Sequence, residues 1–154
     1  MNYLKRKKIS QGFTLIELII VIAIMGILTA AVTPTVSSYL PGIRLNGTAR
    51  GLTSDLRESQ EKSITEQKQY LIRFNSTSIP PTYDIIRLVD ANEELQKQII
   101  LPNNEQLTLG ETITNNQIIF SPDGGPSSSG NLTLSINSIT KVVNVSPAGF
   151  ISIR

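Results

Sequence analysis

An α+β fold is predicted for this chain of 154 residues: a long N-terminal helix, apolar and then amphipathic, packed on an antiparallel β-sheet. Three observations carry that expectation. Residues 13–32 read FTLIELIIVIAIMGILTAAV, a run of twenty residues with one charge, Glu17. Residues 35–67 then repeat apolar side chains at helical spacing. Beyond residue 68 the pattern changes to short alternating segments separated by turn residues.

The apolar run is long enough to matter. At the helical rise it spans about 30 Å, the thickness of a bilayer's hydrocarbon core. It is therefore expected to be a transmembrane helix over residues 13–34. Glu17 conflicts with that setting, since an acid inside such a span costs roughly 2.5 kcal/mol or more. A cleavable secretory signal fits poorly, because no small-x-small site follows a run that is itself too long. A plain membrane anchor accommodates the run but gives no reason for Glu17, nor for the Gly-Phe junction that precedes it.

The segment GFTLIELIIVIAIMGILTAAVTP resembles the N-terminus of type IV prepilins and of the pseudopilins of type II secretion systems. The resemblance implies a leader peptide over residues 1–12, cut between Gly12 and Phe13 by a prepilin peptidase that also methylates the new N-terminus at Phe13. It maps the family's assembly glutamate onto Glu17 and the helix-kinking proline onto Pro34. It also implies that Glu17 pairs with the Phe13 amine of a neighbouring subunit as the filament grows. An unpaired buried carboxylate is heavily penalised, so such a pair favours its own completion and fixes register.

The second part of the helix is expected over residues 35–67, with Leu45, Ala49, Leu52, Leu56 and Ile64 forming the stripe that faces a sheet. Glu58 stands four residues before Lys62, the favoured order for a helical ion pair. Pro34 and Pro41-Gly42 interrupt the backbone ladder, and bends are expected there in preference to a full stop. Strands are expected at 70–74, 83–89, 98–101, 117–120, 131–137, 141–145 and 150–153. The stretch NLTLSIN alternates strictly, and the last three strands follow one another as a meander. Residues 101–117 are expected to be irregular or a short extra hairpin. SPDGGPSSSG, residues 121–130, reads as a flexible loop. Residues 35–154 thus form one globular domain, large enough for one modest core.

This C-terminal half also resembles the GspH/FimT-type minor pilins and pseudopilins. The carriers are IILPNNEQLTL, IIFSPDGG and VSPAGFISI, with Phe120, Pro122, Gly124 and Gly149 matching the family's turns. The helical stretch LPGIRLNGTARGLTSDLRESQEKSIT is similar to theirs as well. The implied fold is type IV pilin-like.

Charge and composition exclude several functions. Of fourteen cations, Lys5, Arg6, Lys7 and Lys8 precede the apolar run, which leaves ten against twelve acids. The basic run is a topology signal that puts the N-terminus in the cytoplasm and the C-terminal domain in the periplasm. His, Cys and Trp are absent, which removes the usual general bases, thiol nucleophiles and most zinc sites. No catalytic residue, metal site or cofactor is expected. Asp84, Asp90, Glu93, Glu94, Glu105 and Glu111 read as solvated surface. PDGG supplies too few hard ligands for calcium, and Ser127 to Ser129 have no base nearby in sequence. The sequons at Asn46, Asn75 and Asn131 carry no weight behind a bacterial export signal.

Two functional classes follow. One is a minor pseudopilin, a structural subunit of a type II secretion pseudopilus that helps move folded proteins across the outer membrane. The other is a FimT-like minor type IV pilin engaged in pilus assembly or DNA uptake. The resemblance implies as partners the prepilin peptidase/methylase, other major and minor pseudopilins or pilins, the inner-membrane assembly platform and the cytoplasmic membrane. DNA is not an expected partner. From Asn75 onward four cations (Arg87, Lys97, Lys141, Arg154) face seven acids, and the last Gly turn, Pro147-Ala148-Gly149-Phe150, holds no arginine.

Overall fold

The computed structural model describes residues 12–90 and 92–154, with the side chains of residues 31–38 outside that set. Helix α1 covers Leu15–Glu66. It runs through residues 34 and 41 without the full stop that proline can impose. The kink expected at Pro34 falls on residues whose side chains are not described. The chain divides into two compact units, one up to Tyr39 and the other Leu40–Arg154.

In the first unit the apolar side chains of α1 are exposed all round, from Leu15 to Leu28. Among the described residues no helix is long and apolar enough to cross a membrane. The apolar run of the sequence continues past residue 30 into positions whose side chains are outside the described set.

In the second unit eight strands form two four-stranded antiparallel sheets, where the sequence pointed to one. They are β1 Gln69–Asn75, β2 Thr82–Val89, β3 Asn92–Ile100, β4 Gln106–Leu109, β5 Gln117–Phe120, β6 Gly130–Ile136, β7 Ile139–Val145 and β8 Ile151–Ile153. The first sheet has the order β3-β2-β1-β5 and the second β4-β6-β7-β8. The expected meander is β6-β7-β8. The β4 segment is not an extra hairpin, since it adds to β6 with Leu107 opposite Leu134. The β3 strand begins six residues earlier than expected; its sequence NEELQKQII is mostly polar and its side chains lie open on a sheet edge.

One core serves both sheets. Leu45, Ala49, Leu52 and Leu56 of α1 are buried against Ile72, Phe74, Ile118 and Phe120 of the first sheet and Leu132, Leu134, Val143 and Val145 of the second. The stripe does not continue to Ile64, which is 45% exposed. It continues through Ser59 and Ser63, both fully buried. Their hydroxyls donate to Asp55 O and Gln60 O of the same helix, so these small polar groups enter the core already satisfied. The helix ends where Gln67 takes a left-handed conformation, φ 51°, and its Nε2 donates to Ile64 O at 2.7 Å.

Candidate assembly site and the lock behind it

Gly12, Phe13 and Thr14 precede the helix, and Phe13 is 86% exposed. Thr14 is the helix cap. Its Oγ1 accepts the Glu17 N–H at 3.3 Å, and its carbonyl accepts the Leu18 N–H at 3.2 Å. Glu17 is therefore the third residue of the first turn, and Thr-Leu-Ile-Glu is a capping-box sequence. The carboxylate sits at the helix end where the backbone dipole is positive. This adds a local reason for Glu17 that the hydropathy pattern alone did not expose, and it makes Thr14 part of the site. The signal was present in the sequence as T-x-x-E before an apolar run.

Deeper in the chain, three polar devices lock α1 to the sheets. Asp55, almost buried, accepts a hydrogen bond from Tyr83 Oη at 2.6 Å and pairs with Lys97 Nζ at 2.8 Å. Burial first, and then the Asp55 carboxylate, push the Tyr83 hydroxyl far above its ordinary range. Through Lys97 the edge strand β3 is fastened to the helix. Near the helix end Arg87 bridges Glu66 at 3.1 Å and Glu94 at 2.8 Å. Burial and the neighbouring Glu66 push Tyr70 up to about 12. The expected Glu58–Lys62 pair is present at 2.7 Å, on the open face.

The third device explains the glycine turns. Gln60 Nε2 donates to Gly124 O at 2.8 Å and to Gly149 O at 3.1 Å, so one side chain clamps both. Both glycines have positive φ, 83° and 82°. A Cβ on Gly124 would stand 2.8 Å from Ile64 Cδ1, and one on Gly149 would stand 2.6 Å from Gln60 Nε2. Left-handed geometry and close approach both call for glycine here. Residues 121–130 are correspondingly tied down: Ser127 N–H donates to Ile119 O at 2.7 Å and Ser128 Oγ to Gln117 O at 3.0 Å. The serines of that segment hydrogen-bond to strand β5 and its flank, which composition alone could not indicate.

One acid departs from expectation. Asp84, Asp90, Glu93, Glu94 and Glu111 are at or near the surface as expected, but Glu105 is only 2% exposed. Its Oε1 accepts from Thr48 Oγ1 of α1 at 3.1 Å, and its Oε2 has no hydrogen-bond partner. Among the described residues no group of three or more His, Cys, Asp or Glu could hold a metal ion.

Residues 7–33 match the prokaryotic N-terminal methylation motif, and residues 48–149 match the type II transport protein GspH family. The type IV major pilin protein PilE1 of Neisseria gonorrhoeae is 44% identical over 61 residues; the match covers 38% of this chain and 32% of that protein. The chain thus spans about a third of the curated relatives it matches. Among solved structures, the minor pseudopilin EpsH of the type 2 secretion system of Vibrio cholerae superposes with a TM-score of 0.63 at 13% identity, covering 72% of this chain and 96% of that one. The type IV minor pilin FimU of Pseudomonas aeruginosa gives 0.60 at 13% identity, covering 71% and 87%. At that identity the likeness is one of fold. With the family match covering most of its length, the chain belongs to the type II transport protein GspH family, and its fold is that of structural pilin and pseudopilin subunits, not of enzymes.

Proposed function

We propose that this chain is a minor pseudopilin, a structural subunit of a type II secretion pseudopilus. The observation that carries the reading is the GspH family match over residues 48–149. In this reading residues 1–12 are a leader removed between Gly12 and Phe13, and Phe13 becomes the methylated N-terminus. Residues 13–34 cross the cytoplasmic membrane as a single span and later enter the filament core, with a bend at Pro34. Residues 35–154 lie in the periplasm. Glu17 receives the Phe13 amine of a neighbouring subunit. The partners are the prepilin peptidase, the inner-membrane assembly platform and the other pseudopilins.

The N-terminal arrangement supports the assignment of roles. Thr14 holds the first turn so that the Glu17 carboxylate stands at the positive end of the helix, close in sequence to the amine that cleavage would create. Apolar side chains surround it and are exposed in the single chain. A charge pair completed among them in low dielectric would be strongly favoured over either charge alone.

Intact-mass measurement of the membrane-extracted protein tests the processing step. Loss of residues 1–12 and gain of one methyl group is the expected result; a mature N-terminus beyond Phe13 overturns it. Glu17→Leu should insert into the membrane at least as well as the parent and fail to enter filaments. The minor type IV pilin reading rests on the fold likeness to FimU. Fluorescence anisotropy with duplex DNA at physiological salt separates the DNA-uptake form of it. Only weak, salt-sensitive binding is expected, since residues 44–154 hold ten cations against eleven acids. Micromolar or tighter binding abolished by replacing Lys141 or Arg154 would favour DNA uptake.

A further inference from the structure

A cavity of about 430 Å³ opens between the β1–β2 turn and the segment that leads into β4. Ser76, Thr77 and Ser78 line one side, and Asn103, Glu105 and Gln106 the other. The polar groups in it are neutral except one. Glu105 is the acid that hydropathy placed on the surface and the fold takes inside. Thr48 satisfies one of its oxygens, and the other is both withheld from water and unpaired. A buried acceptor in that condition costs free energy, about 1–3 kcal/mol or more for a charged group. Among the described residues no cation forms an ion pair with it, although the other nearly buried acid, Asp55, has both Tyr83 and Lys97.

The environment narrows what could relieve Glu105. A divalent metal ion needs several hard ligands, and a single carboxylate among hydroxyls and amides is a poor set for calcium. The cavity is also far larger than one ion requires. A guanidinium or ammonium head on an alkyl stem satisfies both facts: the head supplies donors to the free oxygen, and the stem and its backbone fill the hydroxyl-lined space.

We propose that this cavity is a docking site for a Lys or Arg side chain of a partner polypeptide, with the Glu105 carboxylate as its anionic wall. The site lies outside the N-terminal assembly segment and does not depend on whether the filament serves secretion or a pilus. Ser76, Thr77 and Ser78 offer lone pairs to the remaining donors of the incoming head. Asn103 and Gln106, both exposed, form the rim that a partner backbone meets first.

The test uses the isotope-labelled full chain in detergent micelles, titrated with N-acetyl-arginine methylamide, with its neutral citrulline isostere and with calcium chloride. The arginine probe should shift the amide resonances of residues 103–106 and 76–78, and the citrulline probe should bind about tenfold more weakly or less. Glu105→Gln keeps the shape and an acceptor for Thr48 but removes the charge, so it should lose the same preference. Asn103→Trp, at the exposed rim, should block the arginine probe while leaving Glu105 and the fold intact, which keeps the idea testable if Glu105→Gln folds poorly. Equal binding of arginine and citrulline probes, absence of shifts at these residues, or calcium binding that depends on Glu105 would each overturn the proposal.

Discussion

The two parts of helix α1 use the same residue types to opposite ends. Leu15, Ile16 and Leu18 are exposed by 60% or more, whereas Leu45, Leu52 and Leu56 are exposed by 1% or less. Pattern separates them, not composition. In residues 13–30 apolar side chains occupy every face, so no single stripe can be turned inward. In residues 45–63 they recur every three or four positions, and one stripe closes on two sheets. At about 25 cal/mol per Å² of apolar surface removed from water, the second part finds its stabilisation within the chain. The first part must find it in a membrane or in neighbouring subunits. A helix that is hydrophobic all round is addressed outward.

Truncating a leucine in each part is the most forceful way to break this comparison. Leu56→Ala should destabilise the Leu40–Arg154 unit by about 2–5 kcal/mol, through lost transfer energy and the cavity left behind. Leu18→Ala should leave the unfolding of that unit unchanged, because Leu18 touches none of its core. Urea denaturation of the full chain in detergent reads both. A matching loss in Leu18→Ala would mean that the two parts share one cooperative core.

Asp55 sharpens the picture by one step. Asp55→Ala strips the Tyr83 hydroxyl and Lys97 of their shared acceptor, and a buried hydroxyl left unpaired costs about 1–3 kcal/mol. Lys97→Ala removes a half-exposed cation, and should cost about 1 kcal/mol or less. If Lys97→Ala proved the more damaging, the pinning of β3 would rest on charge and not on the buried hydrogen bond.

Glu105 offers the contrasting acid, and its effect depends on pH. Burial raises its carboxyl above the ordinary 4.5, with the Thr48 hydrogen bond acting the other way. Below 4.5 folded and unfolded chains both hold the proton, and the group favours neither. As pH climbs, the unfolded chain releases its proton first, and the folded state loses stability until its own carboxyl ionises. Glu105→Gln has no proton to release. It should match the parent below pH 4.5 and exceed it at neutral pH in thermal denaturation. Equal stability at both would mean that the Glu105 charge is already compensated.

Residue pattern makes much of this legible, and where it fails the reasons are specific. The core stripe to Leu56, the β6-β7-β8 meander and the glycine turns follow from periodicity and turn chemistry. The β3 strand does not, because an edge strand with both faces open has no alternation to show. The split into two sheets depends on which strands pair across distance, which local pattern does not encode. Ser59 and Ser63 hide in the core because bonds within their own helix satisfy them. Glu105 reads as surface because an acid in a Pro-Asn-Asn-Glu loop usually is; only the packing of α1 over that loop buries it. At the N-terminus the apolar run drew notice to Glu17 as an anomaly, while the capping box beginning at Thr14 was visible only on asking where the first turn's N–H groups go.

That capping box supplies the smallest and most local test. Thr14→Ala removes the acceptor of the Glu17 N–H and should cost the first turn about 1 kcal/mol. The turn is remote from the core, so the Leu40–Arg154 unit should unfold as before. Amide hydrogen exchange in micelles should show faster exchange at Glu17 and Leu18 alone. Thr14→Ser, which keeps the hydroxyl, should restore protection. The consequence for assembly follows from position: a frayed first turn no longer fixes the Glu17 carboxylate at the positive end of the helix, where the proposed partner amine must find it. Thr14→Ala should therefore enter filaments less efficiently than Thr14→Ser while inserting into the membrane equally well. If exchange rises in Thr14→Ala and incorporation does not fall, Glu17 selects its partner by charge alone, and the cap is a matter of helix formation.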